Sequence, residues 1–157
     1  MGNGSEESPS MAESIVVGTD GSDSAQRAVA EAIRMAEALN AEIHLVSAFE
    51  PLRGAKIAGA PEGAAKVWAP LPDATVEKTL TEAAAAVRFR GLEVSTHAVE
   101  KDPADALVEV ADEVGASMIV VGNRGMHGAR RLMLGNVPNK VSHRARCNVL
   151  IVATDQA

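Results

Sequence analysis

The chain has 157 residues, 46% of them hydrophobic, and a formal charge of −6, which is material for one domain with its own core and cramped for two. No window approaches eighteen consecutive apolar residues, which argues against a membrane-spanning helix, and the acidic balance argues against a general nucleic-acid binder. The single cysteine, Cys147, cannot form an internal disulfide and reads as a small buried filler.

The opening segment, MGNGSEESPSMAES, is polar, acidic and free of Lys and Arg, without the basic start and apolar centre of a signal peptide. It predicts a disordered tail over residues 1–13 of a cytoplasmic protein, with the folded domain spanning 14–154. Glu6 stands where a myristoylation signal wants a hydroxyl, so that reading is rejected. SIVVG, residues 14–18, is a β-branched run ending on glycine. A turn-rich TDGSDS follows, and Ala25, Ala28, Val29, Ala32, Ile33, Ala36 and Leu39 then repeat as one helical face, with Asn40 as the stop. AEIHLVSAF reads as a second strand, and residues 50–73 as a long Pro-, Gly- and Ala-rich surface excursion of the kind that forms lids. ATVEKTLTEAAAAVRFRG predicts a helix closed by Gly91, and LEVSTHAV a third strand. Asp102 is placed to cap a helix with Pro103 at its first position, running to Val114 and ended by Gly115. SMIVVG is a fourth strand, VPNKVSHRAR a fourth helix, and NVLIV the last strand.

Strands separated by helix-length crossovers predict an α/β fold, a parallel sheet with helices on both faces. Ligands of such sheets collect beyond the carboxyl ends of the strands, where the strand order reverses. Two strands end as IVVG, at Gly18 and at Gly122, so if they are neighbours their loops wall one crevice. After Gly122 comes a glycine-rich loop in a stretch, Val114 to Thr154, that holds no Asp or Glu but has Arg124, Arg130, Arg131, Lys140, Arg144 and Arg146. Gly122 and Gly125 let backbone approach a ligand, and Gly135 precedes a helix whose first N–H groups can face an anion. The alternative is plainer: a solvated basic face, with glycines that merely end a strand and start a helix.

GNRGMHGARRLMLGN resembles the G-x-x-G-x9-G-[ST] signature of the universal stress protein family, with Gly122, Gly125 and Gly135 in register. At a usage of roughly 7%, two further glycines at set distances arise by chance about once in two hundred, so the match is fairly specific. SIVVGTDGSDSAQRAV and the closing NVLIV are similar to the family's first and last elements, and the likeness covers residues 12–153. It implies a five-stranded, Rossmann-like parallel sheet in the order 3-2-1-4-5. It also implies a stress-response sensor or reservoir that binds ATP or AMP, with magnesium accompanying ATP. Matched by position, Gly18, Thr19 and Asp20 form one wall, with Asp20 against the nucleoside or its cation. Ala48 touches adenine through its backbone. Val121, Gly122, Asn123, Arg124, Gly125, Gly135, Asn136 and Val137 form the phosphate side, with Arg124 the basic residue in reach. As a plainer role, Asp20 caps the helix that follows. Asn136 departs from the signature's Ser or Thr; it still accepts a backbone N–H at a helix start or donates to phosphate. Members that bind cyclic AMP are similar around LGNVPNKVSHRA, which keeps that ligand as the alternative.

Among the histidines only His127 lies in the cradle loop; His44, His97 and His143 have no second ligand at metal-binding spacing and read as structural or exposed. An adenylating or ATP-hydrolysing enzyme is the weaker reading. GTDGSDS lacks two residues of a pyrophosphate loop, Asp20 would repel the anion, and no nucleophile elbow is present, so at most slow hydrolysis is expected. NVLIV, placed at the sheet edge by the implied order, predicts a homodimer through residues 148–152 with Leu150 near its centre.

Overall fold

The computed structural model describes residues 13–49, 74–123 and 135–153. The 50–73 excursion, the tail over 1–12, and Arg124, Gly125, His127, Arg130 and Arg131 of the glycine loop lie outside the described residues. The elements run β1 (Ser14–Gly18), α1 (Asp23–Leu39), β2 (Glu42–Phe49), α2 (Ala74–Phe89), β3 (Val94–Glu100), α3 (Pro103–Val114), β4 (Met118–Gly122), α4 (Asn136–Arg144) and β5 (Asn148–Val152).

Local chemistry sets the ends of the helices. Ser22 caps α1, its Oγ accepting the Ala25 amide at 3.2 Å, and Asn40 ends the helix in the left-handed region at φ 53° with its amide on the Ala36 carbonyl. Gly115 stops α3 in the same conformation, at φ 63°. Asp102 does occupy the cap position of α3, but its side chain makes no capping bond. Its Oδ1 instead accepts from Lys140 Nζ of α4 at 3.4 Å, because the two helix starts lie side by side and a cation outcompetes a neutral amide for a carboxylate. α4 begins one residue earlier than VPNKVSHRAR suggests and ends at Arg144, where Ala145 turns extended.

The five strands are parallel, in the order β3-β2-β1-β4-β5. Alternation along the strands divides the core into two layers. Ile15, Val17, Ile43 and Leu45 face α1 and α2, where Ala28, Ala32, Ile33, Leu80, Ala84 and Val87 cover them. Val16, Val46, Ile119 and Val121 face α3 and α4, against Leu107, Val110 and Val141. The central strands are therefore apolar on both sides, as a doubly covered sheet requires. No described helix is long and apolar enough to cross a membrane. β5 lies at one edge, with Leu150 and Val152 packed on the α1 layer and Val149 and Ile151 on the other, so its apolar side chains already have partial cover.

Gly18 shows how closely α3 sits on the sheet. A Cβ there would stand 3.2 Å from both methyl carbons of Leu107. Gly18→Ala should therefore cost about 1–3 kcal/mol through overpacking, and Leu107→Ala alone about 2–5 kcal/mol through the cavity it leaves. The double variant should lose less than the sum, since the new methyl enters the space that Leu107 vacates. Urea unfolding of the four proteins measures this, and strict additivity would remove the contact as the reason for the glycine.

Candidate functional site

The reversal of strand order falls between β1 and β4, where one chain path leads outward to β2 and β3 and the other to β5. With Val17 opposite Val120, the two strands finish within a residue of each other, so Gly18 and Gly122 bring their following loops to one crevice. Beyond Gly18 the chain stays against β2: Thr19 is buried and its amide donates to the Val46 carbonyl at 2.9 Å. Thr19 Oγ1 then accepts the Gly21 amide at 3.3 Å, with Gly21 at φ 80°. Asp20 Oδ1 accepts the Ser22 amide at 2.9 Å. Asp20 is therefore not the helix cap; Ser22 is, and the exposed Asp20 holds the turn that leads into it. Ala48, near the end of β2 and opposite Val99, is half-buried on the α3 side of the sheet.

The far wall is pinned by one residue. Asn123 donates its amide to the Val152 carbonyl at 2.9 Å and accepts the Gly135 amide on its own carbonyl at 3.0 Å. The glycine loop therefore leaves and returns at a single point beside β5. The closure is tight, since a Cβ on Gly135 would come within 3.3 Å of the Asn123 carbonyl oxygen. Gly135, not Asn136, is the cap residue of α4, and no side chain caps that helix. With the Gly135 amide spent on Asn123 and Pro138 lacking an N–H, the first turn offers an anion the amides of Asn136 and Val137. Asn136 is exposed and Val137 packs against the α3-side core.

The acid-free stretch looks different once folded. Lys140 pairs with Asp102 and Arg144 with Asp105, so α3 supplies the acids that the sequence around these cations lacks. Half-exposed pairs of this kind contribute under about 1 kcal/mol each. They do remove two of the six cations from the pool that a bound anion could draw on. The second carboxylate oxygen of Asp102 is buried without a hydrogen-bond partner among the described residues. Behind the β1–α1 turn, a groove of about 370 Å³ between α1 and α2 is lined by Thr19, Gly21, Val29, Ile33, Thr79 and Ala83 among others. Its one charged lining residue is Glu82, which suits it poorly to phosphate.

Sequence spacing missed one polar cluster altogether. His44 and His97 lie 53 positions apart, yet the β2–β3 register places His44 Nδ1 3.0 Å from His97 Nε2. His44 Nε2 lies 2.9 Å from Glu42 Oε1, which also accepts from Ser14 Oγ at 2.8 Å. Burial pushes the His97 imidazole below its usual value, with His44 adding to that and Glu113 of α3 opposing it. Only strand pairing brings these rings together. No set of three or more His, Cys, Asp or Glu that could hold a metal occurs among the described residues. Cys147 is half-buried against the α3-side core, and burial pushes its thiol up, away from the reactive thiolate.

The universal stress protein family model matches residues 11–153. Universal stress protein Rv1636 of Mycobacterium tuberculosis is 39% identical over 145 residues, covering 89% of this chain and 95% of that protein. A universal stress protein solved in complex with cAMP superposes with a TM-score of 0.69 at 36% identity, over 92% of this chain and 98% of that one. A universal stress protein from Archaeoglobus fulgidus in complex with dAMP does so with a TM-score of 0.63 at 25% identity, over 88% and 96%. From the strand order, the crevice at its reversal and a family match across nearly the whole folded region, the chain belongs to the universal stress protein family.

Proposed function

We propose that this protein binds an adenine nucleotide, ATP or AMP, in the crevice between the β1–α1 turn and the glycine loop, and serves in the cytoplasm as a stress-response sensor or reservoir. The observation that carries the reading is the convergence of Gly18–Thr19, Ala48 and the first turn of α4 at the point where strand order reverses. The relatives solved with cAMP and dAMP support the adenine class. In this reading Ala48 leaves room for the ring, Asp20 lies beside the nucleoside or a magnesium ion carried by ATP, and Val121, Gly122, Asn123, Gly125, Gly135 and Val137 shape the phosphate cradle. Arg124 supplies the charge that Lys140 and Arg144, already paired, do not.

Cyclic AMP is the second reading, favoured by the shape of the cradle. With two amides at the start of α4 and no hydroxyl at Asn136, the helix end suits one phosphate of single charge better than a chain of three. The relative in complex with cAMP is also the more similar of the two ligand-bound neighbours, at 36% identity against 25%.

Gly122→Val combined with Gly125→Val should abolish nucleotide binding while the domain stays folded, because added side chains fill the space where phosphate meets backbone. Calorimetric titration with ATP, AMP and cAMP measures it, and unchanged affinity for all three would refute the cradle. Steady-state ATP turnover should fall far below the enzyme median of about ten per second, since no general base paired with a nucleophile is evident among the described residues of the crevice. Rapid phosphate release that depends on Asp20 would show the opposite. For assembly, a homodimer through residues 148–152 is expected, β5 being a short uncharged edge strand. Leu150→Pro should weaken it by removing a ladder donor. Sedimentation at micromolar concentration decides: a monomeric wild type, or a folded variant that stays fully dimeric, would refute this interface.

A further inference from the structure

Ser14, Glu42, His44 and His97 form a hydrogen-bonded line that crosses one face of the sheet from the start of β1 to the middle of β3. Ser14 opens β1 and Glu42 opens β2, while His97 belongs to the edge strand β3. His44 lies on the face of the sheet that α3 covers, since it pairs with Val16, a member of that core layer. The charged groups facing the two rings are Glu42 from β2 and Glu113 from α3, with the Ser14 hydroxyl from β1 completing the line.

The line has a direction. Glu42 is held ionised by the bonds from His44 and Ser14, which lower it below its ordinary value of 4.5, and a carboxylate only accepts. His44 must therefore donate from Nε2, and in its neutral form its Nδ1 is an acceptor. The neighbouring His97 Nε2, 3.0 Å away, must then carry the proton between them. One added proton is accommodated on the outer nitrogen of His97, Nδ1, with every bond intact. A second must sit on His44 Nδ1, where it meets the proton already on His97 Nε2. Two N–H groups then oppose each other between two cations.

We propose that His44 and His97 are a one-proton clasp that fastens the edge strand β3 to β2, and that mild acid opens it by forcing a second proton between the rings. The unfolded chain has no such limit and takes up both protons near pH 6.5. Below that value it binds up to one proton more than the fold, so stability falls with falling pH. Burial of His97, which lowers its affinity for a proton, acts in the same sense: its contribution is full above about pH 6.5 and is lost on acidification. Glu42 remains ionised through this window, because its own titration lies below 4.5.

The experiment compares the full-length wild type with His44→Gln, whose amide donates to Glu42 and accepts from His97 Nε2 but does not titrate, so that His97 takes its proton with every bond intact. Between pH 6.5 and 5 the folding constant of the wild type should fall up to tenfold per pH unit more steeply than that of the variant. Hydrogen exchange, corrected for intrinsic rates, should show β3 amides losing protection before those of β1 and β4 in the wild type alone. Equal slopes with β3 protected to the same pH in both proteins would overturn the proposal. If His44→Gln does not fold, imidazole ¹⁵N shifts of the wild type decide. Combined uptake of one proton by the pair down to pH 5 is expected, with His44 as the Nε2–H tautomer at pH 7.5. Two fully protonated rings in the folded protein at pH 6 would refute the clasp.

Discussion

The pairing of β1 with β4 is the contact on which the rest of the molecule depends. Ile15, Val16 and Val17 of β1 lie opposite Met118, Ile119 and Val120 of β4, and Val16, Ile119, Val17 and Val120 are fully buried. These two strands are far apart in sequence, and only burial on both faces rewards closing so long a loop. Once they are joined, β2 and β3 extend one side and β5 the other, and the order must reverse between them. A crevice at the carboxyl ends follows from that reversal, whatever the loops contain.

Two hydrogen bonds then shape the crevice. The Thr19 amide on Val46 keeps the first turn against β2, so that Thr19 is buried where a solvated loop would be expected. Asn123 works on the other side, joining the exit of β4 to the end of β5 and to Gly135 at once. The residues that flank the glycine loop, Asn123 and Gly135, are therefore joined by backbone. Gly18 and Gly135 owe their lack of a side chain partly to the fold itself, since Leu107 and the Asn123 carbonyl fill the space beside them. Glycine is thus required at both positions by packing alone.

Charge is distributed by the same logic. α3 carries Asp105 and Asp102 at its start, and α4 carries Lys140 and Arg144 along the side that meets it. The cations left for a phosphate are therefore fewer than the composition of the last forty residues suggests. On the face that α3 covers, Ser14, Glu42, His44 and His97 stand in one hydrogen-bonded line.

Periodicity determined by itself that the chain alternates strands and helices. The buried face of α1 is the apolar set that repeats at helical spacing except Leu39, which the last turn leaves exposed, and Asn40 and Gly115 stop their helices as turn chemistry requires. The three glycines at signature spacing were enough to indicate the family. These features are local, and local features are written in neighbouring residues. Partnerships across the chain are not. That Asp102 would leave its capping amide for Lys140, that Gly18 would make room for Leu107, and that His44 would meet His97 each depended on which strand lay beside which and on where the helices came to rest. Those contacts have no signal in spacing, because the residues involved are separated by tens of positions and meet only when burial of the strands between them closes the sheet.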